Sequence, residues 1–230
     1  MPELVFATEV APYRDGVSGA HGVLPQAVRI LRQLAGLAGL SFRHVDDVSA
    51  LPVSALEQAR VLSLFTIGET PWSEEQRGAI ARGVRSGRTG FLPLHSASDA
   101  CYGWPDYGRL VGARFDGHPW TQELAVEVLD PTHPATRHLG SEWRTTDEVY
   151  LFRELRPDAR ILLRARAADL DPKAPGARVP EIGFPLAWCH SEGQGRVFYT
   201  ALGHFPALYE QPRFVAHLLG GLRWVLGEGS

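Results

Sequence analysis

The segment Val61–Leu94, VLSLFTIGETPWSEEQRGAIARGVRSGRTGFLPL, decides how this chain folds. It begins with a largely apolar run, Val61–Ile67, that reads as a buried strand. Ser73 is placed to cap a helix whose first turn holds Glu74, Glu75 and Gln76, the pattern of a capping box. That helix is predicted to run to about Ser86 and to stop at Gly87. A second apolar strand, Gly90–Leu94, follows at once. Strand, helix and strand in so short a span predict parallel strands with helices on the sheet faces.

The same alternation extends upstream. Leu4–Thr8 reads as a strand, and the turn-rich stretch Ala11–Gly22 follows it. From about Pro25 to Leu40, apolar Ala27, Ile30, Leu31, Leu34, Leu37 and Ala38 recur at spacings of three and four, a helical period. Phe42–Val45 is a further strand, and Leu56–Arg60 a short helical connection. Downstream the pattern changes. Glu123–Leu129, Glu148–Phe152, Arg160–Arg166, Leu186–His190 and Arg196–Thr200 are predicted strands, and Pro212–Leu226 a closing amphipathic helix. Asp169–Pro180, with three prolines, reads as a mobile surface loop. No linker divides the chain, so residues 1–230 are expected to form one α/β domain with a mostly parallel sheet.

Composition narrows the function. The 230 residues are 44% hydrophobic and 21% charged, with net charge −3. A chain of this length buries roughly 70% of its unfolded surface and needs no metal or disulfide to fold. Lys173 is the only lysine and no basic run exists, which argues against nucleic acid. No apolar run reaches the roughly 18 residues of a membrane span. The start, MPELVFATEV, lacks the pattern of a secretory signal. Cys101 and Cys189 form no disulfide framework. The expected setting is cytoplasmic.

Four segments, taken together, resemble the ThuA-like family, named for trehalose utilisation. They are Thr89–Ser98 (TGFLPLHSAS), Trp104–Pro119 (WPDYGRLVGARFDGHP), the pair HPAT at 133–136 and DEVY at 147–150, and GQGRVFYTALGH at 193–204. The resemblance implies a three-layer α/β/α fold like that of class I glutamine amidotransferases, with flavodoxin-like topology. It places His95 where that fold carries its nucleophilic cysteine; Cys101 lies six residues on. An imidazole cannot form a glutamyl thioester, so glutamine hydrolysis is not expected. Near the N-terminus, the Tyr-Arg-His stretch of many relatives reads Tyr13-Arg14-Asp15, with His21 downstream.

Position singles out the site residues. His95 and His204 each end an apolar strand, where open α/β sheets place ligands, and histidine titrates near neutrality. Glu148, in an acidic pair with Asp147 read as preceding a strand, is expected to orient a histidine, act as a base or bind metal. His95, His204 and Glu148 are the catalytic candidates, and His95, His118 and His204 the metal candidates. Zn²⁺, Mn²⁺, Ni²⁺ and Fe²⁺ all suit such donors. Tyr102, Trp104 and Tyr107 are candidates for stacking on a sugar ring, with Asp147 a further ligand contact. His133 reads as a turn residue, and Gly220-Gly221 as close-packing glycines. His44, His138, His190 and His217 carry no functional context.

The leading expectation is an enzyme acting on a sugar or an oxidised sugar derivative, the substrate class resting on the family name. The alternative is a non-catalytic module that binds a small metabolite. A third is a subunit whose cleft another chain completes. The expected partner is a carbohydrate-like small molecule, with no nucleic acid or membrane; a homodimer is compatible with the sequence. One shared site requires the four side chains to lie within about 12 Å.

Overall fold

The computed structural model describes residues 1–8 and 22–228. Tyr13, Arg14, Asp15 and His21 lie outside the described residues. The elements in chain order are β1 (Glu3–Ala7), α1 (Leu24–Leu37), β2 (Ser41–Val45), α2 (Val53–Gln58), β3 (Ala59–Leu64), α3 (Glu74–Arg85) and β4 (Gly90–Pro93). Then come α4 (Pro105–Val111), β5 (Arg114–Phe115), β6 (Trp120–Val128), β7 (Glu142–Val149) and β8 (Phe152–Arg153). The chain continues through β9 (Arg160–Ala165), β10 (Pro185–Glu192) and β11 (Gly195–Thr200) to α5 (Pro212–Leu226).

Nine strands form one sheet in the order β2-β1-β3-β4-β11-β10-β9-β6-β7, and β5 pairs with β8 apart from it. The pairings from β2 to β11 are parallel. Those from β11 to β7 are antiparallel.

Successive strand residues point to opposite faces, and the inner strands are apolar on both. Leu4 and Phe6 enter one core with Ile30, Leu31 and Leu34 of α1 and Phe214, Leu218 and Leu222 of α5. Val5 and Ala7 enter the other, with Leu56 of α2, Ala79, Ile80 and Val84 of α3 and Leu110 of α4. The result is the expected α/β/α layering.

Helix α3 starts as the sequence predicts. Gln76 N–H donates to Ser73 Oγ (3.2 Å), and Ser73 N–H donates to Gln76 Oε1 (2.8 Å). The Gln76 amide also donates to the carbonyls of Val48 and Leu51, both at 2.7 Å, tying α3 to the preceding loop. In α5, a Cβ on Gly221 would come within 2.4 Å of the Phe198 ring, so only glycine lets the helix lie this close to β11.

Several boundaries differ from expectation. The helix expected at Leu56–Arg60 is α2, Val53–Gln58, and Ala59 already pairs with Glu3 in the sheet. Pro52 caps the helix in extended conformation and fixes its earlier start. The strand expected at Glu148–Phe152 is β7, so Asp147 and Glu148 end a strand instead of preceding one. Inward Trp143, Thr145, Asp147 and Val149 alternate with exposed Arg144 and Thr146. Polar residues at two inward positions hid the alternation. The 169–180 loop is fastened to β6, since Trp120 Nε1–H donates to Asp171 O (2.8 Å) and Gln122 donates to Asp169 O (2.7 Å).

Three histidines outside the site are buried and held neutral. Burial drives His217 down to about 3, against the opposing hydrogen bond to the Ala135 carbonyl. Burial likewise lowers His133 and His190 to about 4. Each ring titrates near 6.5 when unfolded, so below that pH the unfolded chain takes up protons that the folded chain refuses. The contribution of these rings is therefore complete above pH 6.5 and falls as the pH drops toward 4, by about 1.4 kcal/mol per unit for each ring. Urea unfolding at pH 7 and pH 5 should show this loss. His217→Gln should remove about one ring's share; an unchanged slope would assign the proton uptake to other groups.

Candidate functional site

The site is built where β4 and β11, neighbours in the parallel part of the sheet, reach their carboxyl ends. Leu94 forms a bridge to Thr200, and the chain then turns tightly through a 3-10 turn over His95–Ser98. His95 has φ of 45°, the left-handed region, which costs a non-glycine residue about 1–3 kcal/mol. Hydrogen bonds hold it there. The His95 carbonyl accepts from the Tyr199 hydroxyl at 2.7 Å, and Ser98 Oγ lies 2.9 Å from that hydroxyl. His95 Nδ1 lies 2.6 Å from the Ala201 carbonyl oxygen, just beyond β11.

Past β11, Gly203 (φ 135°) turns the chain so that His204 faces His95. Asp147 fixes this turn. Its carboxylate accepts N–H groups from Gly203 (2.7 Å), Glu148 (2.9 Å) and His204 (3.1 Å). Burial lifts the Asp147 carboxyl to about 7; the three N–H bonds pull it down, while the Glu148 charge adds to the rise.

Three candidates converge. His95 Nε2 is 3.3 Å from His204 Nδ1 and 3.5 Å from Glu148 Oε2, and His204 Nδ1 is 3.3 Å from the same oxygen. The ligand atoms of this trio lie within 4.8 Å of one another. A tetrahedral cation with bonds of about 2.0–2.1 Å has ligand atoms about 3.3–3.4 Å apart. All three measured edges are close to that length, so two imidazoles and a carboxylate fit one small divalent ion. His118 Nδ1 stands 3.5 Å from the other oxygen, Glu148 Oε1, and its side chain is 43% exposed. It belongs to the open side of the group and not to the trio.

The other candidates are placed differently. Trp104 and Tyr107 are buried in the core beneath α4, their rings 5.5 Å apart, and the Tyr107 hydroxyl donates to the Ala97 carbonyl at 2.8 Å. Neither offers a ring face to a sugar. Tyr102 is exposed, but Arg114 and Arg153 lie over its ring at 5.2 and 5.7 Å. Asp147, expected to contact ligand, has both oxygens engaged by backbone and no exposure. Trp104 and Tyr107 share one cause: the WPDYGRLV segment forms α4, and its aromatics pack inward. His133 is a turn residue, accepting the Ala135 N–H at Nδ1 (3.1 Å).

Tyr150 went unnoticed in the sequence. Its hydroxyl lies 2.9 Å from His95 Nε2 and its ring centroid 4.8 Å from that of His95. Burial, with the nearby Glu148 charge, holds its phenol well above the usual value. The available signal was DEVY itself, where a tyrosine two residues after the acid follows directly on the end of the same strand.

The family model described as "ThuA: Trehalose utilisation" matches residues 13–225. The chain belongs to this family. ThuA-like proteins of known structure share its fold. The one from Bacteroides uniformis ATCC 8492 superposes with TM-score 0.79 at 21% identity, over 97% of this chain and 91% of that one. The one from Parabacteroides merdae ATCC 43184 gives 0.76 at 21% identity, over 100% and 92%. The amidotransferase-like α/β fold implied by the resemblance is therefore present. A family protein CutC from Xanthomonas axonopodis pv. citri (strain 306) is 31% identical over 144 residues, 60% of this chain. The chain spans only 59% of that relative's length. Among the described residues, no helix is long and apolar enough to cross a membrane.

Gly203 is the residue on which the His204 arm of the site turns. Its φ is positive, and an added Cβ would sit 2.9 Å from the buried Tyr209 hydroxyl. Gly203→Ala should lower the unfolding free energy by about 1–3 kcal/mol, read from denaturant melts. A variant that unfolds with the wild type would mean that the turn relaxes freely.

Proposed function

We propose that this ThuA-family chain is an enzyme acting on a sugar or an oxidised sugar derivative, with a divalent cation held by His95, His204 and Glu148. The observation that carries the reading is the trio of edges, 3.3, 3.3 and 3.5 Å, with the histidines beyond the carboxyl ends of adjacent parallel strands and the carboxylate brought in by β7. Two histidines and one carboxylate suit Zn²⁺, Mn²⁺, Ni²⁺ or Fe²⁺ and leave coordination positions open for a substrate oxygen. A bound cation would polarise that oxygen as a Lewis acid. His118, on the open side beside Glu148 Oε1, is placed to exchange a proton with a ligand there. The substrate class is supported by the family's description, trehalose utilisation.

Glutamine hydrolysis is a poor reading of the same site. His95 stands at the elbow, and an imidazole forms no thioester. Cys101 is buried, and burial raises its thiol further from the reactive thiolate.

Plasma mass spectrometry of purified wild type and His95→Ala tests the reading. About one equivalent of metal in the wild type, lost in the variant, is the expected result. A wild type that holds no metal after dialysis against Zn²⁺, Mn²⁺ and Ni²⁺ in turn would sink the cation and leave metal-free acid/base chemistry or a binding module.

A further inference from the structure

The Tyr150 hydroxyl occupies the one atom through which His95 would hold a cation. A carbonyl oxygen only accepts hydrogen bonds, so the 2.6 Å contact between His95 Nδ1 and the Ala201 oxygen places a proton on Nδ1. In the neutral ring, Nε2 then carries the lone pair, directed into the site. Tyr150 stands 2.9 Å from Nε2, and toward the lone pair of a neutral ring a phenol can only donate. One lone pair cannot serve a phenol proton and a metal ion together.

We propose that Tyr150 is a gate on the metal site, its hydroxyl sealing His95 Nε2 until an entering cation breaks that hydrogen bond. This rests on the reading of the trio as a cation site. The proton stays on the phenol oxygen, and only the O–H direction changes. The ring itself has no room to leave. It is buried among His95, Phe115, His118 and Phe152, with centroid separations of 4.8, 4.7, 5.9 and 6.0 Å.

Once released, the O–H is beside the open coordination positions and needs an acceptor, because a buried hydroxyl without a partner is costly. A cation alone supplies none. A ligand bringing a hydroxyl or carbonyl oxygen to the cation restores the lost bond. The gate thus favours joint occupancy by cation and oxygen-bearing ligand over occupancy by cation alone.

The test is calorimetric titration of metal-free wild type, Tyr150→Phe and His95→Ala with Zn²⁺ alone. The phenylalanine keeps the ring packing, and a thermal melt verifies that the variant is folded. Zn²⁺ should bind Tyr150→Phe about two- to tenfold more tightly than wild type, the gain from removing one competing neutral hydrogen bond. His95→Ala should lose the binding. Equal affinity in the two overturns it, and weaker affinity in Tyr150→Phe overturns it by making the phenol a ligand; both leave the cation reading standing. No binding by either protein overturns the cation reading, and the gate with it. The His95 Nε2 nitrogen resonance in metal-free protein gives a second readout. It should move when Tyr150 becomes phenylalanine, and a resonance that stays put overturns the gate.

Discussion

Asp147 lies out of water at the end of β7, and its carboxylate oxygens accept N–H groups from Gly203, Glu148 and His204. A carboxyl with no exposure costs several kcal/mol unless its oxygens are met by donors. Here the donors belong to two separate segments, the end of β7 and the turn after β11. The same bonds that make burial tolerable lock those segments together. Glu148 follows Asp147 and His204 follows Gly203, so the lock brings both side chains to the same place.

The sheet alone would not have done this. In the strand order, β7 lies four places from β11, and strands spaced by about 4.8 Å would put it about 19 Å away in a flat sheet. Yet Glu148 Oε2 is 3.3 Å from His204 Nδ1. The antiparallel half must coil back over the carboxyl ends of the parallel half, in keeping with the twist of large mixed sheets. The division of labour follows. The parallel strands β4 and β11 supply two imidazoles side by side, and the antiparallel extension returns to supply the carboxylate. A purely parallel flavodoxin-like sheet would hold the histidines without their acid.

Much of this was legible in the sequence where apolar periodicity and cap chemistry agreed. Ser73 with Gln76, the run to Leu94 and Pro212–Leu226 all read correctly because local signals and burial pointed the same way. His95 and His204 were legible because a histidine ending an apolar run in an α/β pattern stands where ligands bind. β7 was obscured because its inward face carries Thr145 and Asp147, a polarity that makes sense only once the Gly203 turn is opposite. The aromatic cluster at 102–107 misled for the converse reason. Residue type marks stacking capacity, while the fold of α4 decides that Trp104 and Tyr107 spend it inside the core. The role of Tyr150 went unread because it depends on a contact to a residue 55 positions away.

The strain at His95 bears on why the site is rigid. A left-handed histidine persists only if its surroundings overdetermine it, and here they do so from several sides. Tyr199 binds its carbonyl, Ala201 binds Nδ1, and Tyr150 binds Nε2. Phe65 packs against the ring at 5.4 Å. Such constraint leaves the imidazole one orientation and one neutral tautomer, with Nε2 directed at Glu148 and His204. Among the described residues, the ion-pair partners of Glu148 are imidazoles: His95, His118 and His204. A buried carboxylate is tolerable only where donors or positive charge meet it, and the imidazoles stand where either would act. On the proposed reading, Tyr150 is the partner of Nε2 that an entering cation would have to displace.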